Sequence, residues 1–152
     1  MFHVDFDRPS MQEPSEKEAA DLGSASEMNL RYGYFMTDVT VTVDGWEEPF
    51  PGTTLLDFIF GLLWVAGNVR NGKAGRVGFT ESDVSIGFQP EGSGLTVLRS
   101  FDPVLGRCGT DELLNGVNLF VDAGLDFIVE KYPVFAENET YHKLRALRAE
   151  LE

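Results

Sequence analysis

Between Tyr34 and Val43 the apolar residues Phe35, Val39, Val41 and Val43 alternate with Asp38, Thr40, Thr42 and Asp44. A period of two sends the two sets to opposite faces, so the run predicts a strand packed on one side and wet on the other, the pattern of an antiparallel sheet. Asp44-Gly45 follows and suits the positive φ angles of a tight turn, which returns Trp46 to Glu48 beside the first strand. Pro49 and Pro51 lack an N–H and are expected to stop the pairing there.

Such a sheet needs a partner for its apolar face, and the next residues supply one. Thr54 can cap a helix whose first turn holds Asp57, an arrangement that fits a capping box and the positive end of the helix dipole. Leu55, Phe58, Ile59, Leu62, Ala66 and Val69 make one face, and Leu63 and Trp64 widen it, so this helix is expected to be covered on most sides. Gly61 marks a place where another element comes close. Gly67 to Gly75 connects this helix to a short strand over Arg76 to Thr80. Val84, Ile86 and Phe88 then alternate, Pro90 to Gly94 forms a hairpin loop, and a further strand runs from Leu95 toward Phe101. Leu114, Val117, Val121, Leu125, Ile128 and Tyr132 recur at helical spacing between Thr110 and Pro133, and a last helix with Asn138 as its N-cap carries Leu144, Leu147 and Leu151 on one side.

The order β-β-α-β-β-β-α-α predicts an α+β fold, a small antiparallel sheet with three helices packed mainly on one face, in a single domain over 30–152. A chain of 152 residues buries roughly 68–70% of the surface its unfolded form exposes, so neither disulfide nor metal is required for stability. Residues 1–29 read differently. They are rich in Pro, Ser, Glu and Ala and show little periodicity after Phe6, which predicts a mostly disordered acidic tail. The alternation of Phe2, Val4 and Phe6 offers the other possibility, an edge strand. On the first reading, removal of Met1 to Leu22 should leave the rest folded.

Twelve Lys and Arg against 25 Asp and Glu give a net charge of -13. That balance disfavours nucleic acid, whose binding depends on neutralising phosphates, and favours either simple solubility or a basic protein partner. The one cysteine, Cys108, cannot form an internal disulfide, the N-terminus has no signal-peptide pattern, and the most apolar run, Leu55 to Ala66, is shorter than a membrane span and contains Asp57. The expected location is the cytoplasm, away from membranes.

Motifs that would carry chemistry fall short on inspection. Gly67 to Ala74 nearly spells a phosphate-binding loop, but Ala74 replaces the metal-holding hydroxyl, and the loop follows a helix instead of a strand. Cys108 lies beside Arg107 before a helix, a setting that lowers a thiol pKa, yet the candidate bases His3 and His142 lie far off in the chain. One cysteine and two histidines make no zinc set, and no cofactor is implied. The triplet Asn138-Glu139-Thr140 reads as a helix cap.

The most informative surface is the polar side of the helix from Thr110: Asp111, Asn115, Asn118, Asp122, Asp126 and Glu130 form one stripe. Like charges at this spacing repel, so the stripe is either a solvated face or one kept for a cationic partner, with Asp111, Asp122, Asp126 and Glu130 as the contact residues. The run Asp111 to Phe120, continuing to Tyr132-Pro133 behind a small sheet, resembles the immunity-type proteins that neutralise bacterial toxins, a likeness spanning Asn29 to the end and transferring no individual residue. It implies a non-enzymatic domain that covers a toxin's active surface, with carboxylates standing in for phosphates where the toxin is a nuclease. The alternative is a small-molecule-binding or enzymatic domain with an aromatic pocket between the sheet and the first helix, near Phe58, Phe60 and Trp64.

Overall fold

The computed structural model describes residues 1–80 and 82–152. Strands β1 (Phe2–Phe6), β2 (Met36–Val43) and β3 (Trp46–Thr54) form one antiparallel sheet in that order, and β4 (Gly75–Phe79), β5 (Ser82–Glu91), β6 (Gly94–Arg99) and β7 (Asp102–Gly109) form a second. The helices are α1 (Glu16–Ala20), α2 (Glu27–Gly33), α3 (Leu55–Arg70), α4 (Thr110–Lys131) and α5 (Glu139–Ala149). The class is α+β as expected, but among the described residues there are two sheets instead of one small one and five α-helices instead of three.

The largest difference lies at the N-terminus. Residues 1–29 are not a disordered tail here: β1 pairs with β2 along its whole length, from Phe2 opposite Val43 to Phe6 opposite Val39. Phe2, Val4 and Phe6 turn inward and are buried, while Met11, Leu22 and, just beyond, Leu30 are single apolar pegs set in polar sequence. Ser15 and Ser26 cap α1 and α2, the first with a full capping box to Glu18. The edge strand read from the alternation of Phe2, Val4 and Phe6 is the one the structure shows, and composition favoured a tail because beyond Phe6 the segment contributes isolated buried residues, not an amphipathic face.

Helix α3 is the hub. Ten of its side chains, from Leu55 to Val69, are buried. A Cβ on Gly61 would stand 2.5 Å from Val77 Cγ2, so the missing side chain is what lets β4 lie against the helix. Helix α4 packs on α3 through Gly124 and crosses β1, where a Cβ on Gly116 would meet the Phe2 carbonyl oxygen at 2.8 Å.

The two sheets meet at the turn between β2 and β3. Gly45 takes φ 116°, and Asp44 and Arg107 exchange backbone hydrogen bonds of 3.2 and 2.8 Å. Trp46 donates its indole N–H to the Val97 carbonyl at 3.3 Å. The Arg99 guanidinium, its side chain only 7% exposed, ties the same seam to Glu48 at 2.5 Å. Strand β7 lacks apolar alternation because Trp46 occupies the space where its inward side chains would go: a Cβ on Gly106 would fall 2.6 Å from Trp46 Nε1. Pro49 and Pro51 do not end β3, which runs on to Thr54. Pro49 keeps its place opposite Thr40 because β3 is an edge strand, while the register shifts at Pro51-Gly52 and pairing resumes at Thr53 opposite Thr37.

Phe35 launches β2 from α2 with φ 58°. A non-glycine residue there is strained by about 1–2 kcal/mol. Full burial of its ring against Tyr132 and Phe135 offsets this.

Candidate functional site

The acidic stripe of α4 is divided by the fold. Asp111 and Glu130 are exposed and Asn118 Oδ1 is buried without a partner. Asp122 lies under α5, where one carboxylate oxygen accepts from Arg145 at 3.0 Å and from Arg148 at 3.0 Å and the other accepts from Arg148 at 2.9 Å. Asp126 pairs with Arg145 at 2.5 Å. The repulsion expected along the stripe is therefore relieved internally, and the Arg148 guanidinium is held above its ordinary pKa chiefly by its bond to Asp122. This corrects the view of Asp122 as a free surface, whereas Asp126 stays exposed beside Arg145. Asp122→Asn should lower stability by about 1 kcal/mol, a charged network discounted for partial exposure, and the melting temperature by about 2–4 °C. An unchanged or higher melting temperature would show that the arginines contribute nothing.

Cys108 faces inward from β7 opposite Leu95 and is 6% exposed. Burial pushes its thiol up to about 11, the opposite of an activated nucleophile. Alkylation at pH 8 should run about 100-fold slower than for a free thiol of pKa near 8.5, and should accelerate about tenfold per pH unit above that. A rate matching free cysteine at pH 8 would overturn this.

The aromatic pocket predicted between sheet and first helix is not at that place. Phe58 is buried in a ring stack with Phe79, while Phe60 and Trp64 face α5 across a groove shared with Leu147 and Leu151. Thr54 does stand at the N-cap of α3, but its hydroxyl makes no cap bond. It meets the Thr80 hydroxyl at 2.6 Å, Thr80 donates to Asp57 at 3.2 Å, and Asp57 in turn pairs with Arg31 at 2.7 Å. That network borders a cleft of about 420 Å³ between the edge of β3 and the end of β4, walled by Phe50, Phe79 and Phe101 with Tyr32.

A second feature escaped sequence reasoning because it needs the N-terminal strand. The outer face of the three-stranded sheet carries His3, Asp5 and Asp7 from β1 and the residue after it, Asp38 from β2 and Glu47 from β3, around a shallow depression of about 510 Å³. Glu47 accepts from the Thr42 hydroxyl at 3.0 Å, and Asp38 accepts from the Gly52 N–H at 3.0 Å. Neutral donors thus orient these two carboxylates without cancelling their charge; Asp5 alone of the four pairs with a cation, Arg8, among the described residues. Among the described residues no group of three or more His, Cys, Asp or Glu could hold a metal ion, and no helix is long and apolar enough to cross a membrane.

These features define a two-sheet α+β domain with one carboxylate-rich sheet face and one aromatic cleft. No family model matches the chain, and comparison with curated proteins and with solved structures finds no match.

Proposed function

We propose that the chain is a non-enzymatic binding domain that covers a basic protein, in the manner of the immunity-type inhibitors its build resembles. The observation that carries this reading is the outer sheet face, on which Asp38 and Glu47 are preset by neutral donors. Preset charges lose little freedom on binding, and a negative face speeds encounter with a positive one. Away from this face Arg31, Arg99, Arg107, Lys131, Lys143, Arg145 and Arg148 are engaged in internal ion pairs, and the surplus of carboxylates, a net charge of -13, sets the field.

The test is affinity capture from an extract of the source cell with the wild type and with a face variant carrying Asp5→Asn, Asp7→Asn, Asp38→Asn and Glu47→Gln. Wild type should retain a basic protein at low salt and release it as salt rises, since exposed charges act over about 8 Å at physiological ionic strength. The face variant, still able to accept the same neutral hydrogen bonds, should lose that protein. Equal capture by both would remove the sheet face from the interface.

A further inference from the structure

We propose that the cleft between the two sheets is a binding site for a small aromatic amine, a function separate from the carboxylate face. Its volume of about 420 Å³ falls in the range of about 300–1,000 Å³ typical of small-molecule sites. Inside, Phe50 and Phe79 are stacked with centroids 4.4 Å apart and planes 15° from parallel, so a flat ring can slide in beside a wall that is already flat. At the mouth, Phe101 and Tyr32 leave 50% and 47% of their surface exposed, although each has an apolar ring that a ligand would cover.

The polar chemistry selects the other half of the ligand. Asp57, paired with the Arg31 guanidinium, can only accept, so the Thr80 proton points to it. The short Thr54 to Thr80 contact then needs the Thr54 proton, which leaves Thr54 presenting lone pairs. Thr53 donates its proton to the Phe50 carbonyl at 2.8 Å and is in the same state. The two buried hydroxyls of the cleft therefore offer acceptors and no donors, Ser82 at the rim accepts from the Val84 N–H and keeps its own proton, and no Lys or Arg is among the described residues that line the cleft. An N–H donor is what such a site can satisfy. The net charge of -13 favours that donor as an ammonium, although the rim rings of Tyr32 and Phe101 each already face a guanidinium, Arg31 at 5.6 Å and Arg99 at 5.7 Å.

The experiment is an amide NMR titration of the nitrogen-labelled full chain with three probes: tryptamine, indole-3-acetate and cyclohexylmethylamine. Tryptamine should give saturable shifts at Gly52, Thr53, Thr54 and Phe79 and should bind about tenfold more tightly than either of the others, which lack the cation or the aromatic ring. Phe101→Ala, at a half-exposed position whose loss should leave the fold intact, should weaken tryptamine about fivefold or more. Thr54→Val should weaken tryptamine more than it weakens indole-3-acetate; if that variant fails to fold, Phe101→Ala decides alone. No saturable shift up to about 5 mM tryptamine, equal binding of indole-3-acetate, or shifts confined to the outer face around Asp5 and Asp38 would each overturn the proposal.

Discussion

A chain lacking Met1 to Leu22 should not fold: its far-ultraviolet circular dichroism should show no cooperative thermal transition. The truncation removes β1 and leaves one edge of β2 unpaired. It also removes Phe2, Val4, Phe6, Met11 and Leu22, all buried. Each such side chain stabilises the fold by about 1.5–3 kcal/mol, so together they match the whole 5–15 kcal/mol or so by which a domain of this kind is stable. Phe6 makes edge contacts to both Phe120 and Phe127 of α4, and Phe6→Ala by itself should cost about 3–5 kcal/mol. A truncated chain that melts cooperatively within a few degrees of wild type would restore the tail reading.

The second large effect is expected at Asn138. Its side chain caps α5 by accepting from the Thr140 N–H at 2.7 Å while its amide donates to the Leu22 and Ala25 carbonyls at 2.6 and 3.0 Å. As an N-cap alone, Asp would serve as well as Asn. Here Asn138→Asp aims a carboxylate at two carbonyl oxygens in a site that is 1% exposed, and the expected loss is about 3–5 kcal/mol at neutral pH. The sign with pH follows. Burial without a cation raises the folded-state pKa of the new acid above its unfolded value, so its penalty is fully present above the folded pKa and fades as pH falls toward the unfolded one. The melting gap to wild type should therefore narrow between pH 7 and pH 4; a constant gap would mean the charge is not what destabilises.

Where one element dictates its own pattern, the sequence is readable. The alternation from Val39 to Val43, the Asp44-Gly45 turn, the helical spacing after Leu55 and after Thr110, and the cap at Asn138 all depend on neighbours in the chain, and the structure places each as expected, whereas Phe35 lies before the strand at φ 58° instead of in it. Gly61 was legible as a close approach for the same reason. The rest depends on partners far away. β7 is invisible because its inward Gly106 makes room for Trp46, and Met11 and Leu22 carry no pattern because each fills one hole. Asp122 looks like part of a repelling stripe until α5 brings Arg145 and Arg148 across it. The Thr54 hydroxyl looks like a cap until Thr80 claims it. The cleft belongs to two sheets, and no local reading assembles it.

The crossing of α4 over β1 sets an order of events during synthesis. β1 leaves the ribosome long before α4, the helix that seals its inner face, and Leu22 is hydrogen-bonded to a side chain 116 residues further on. Pairings this distant form slowly, and an apolar strand left uncovered meanwhile is exposed to wrong partners. Until Phe120 and Phe127 emerge, the nascent chain displays Phe2, Val4 and Phe6 to its surroundings. The interval before closure, more than the finished domain, is when a chaperone has something to hold.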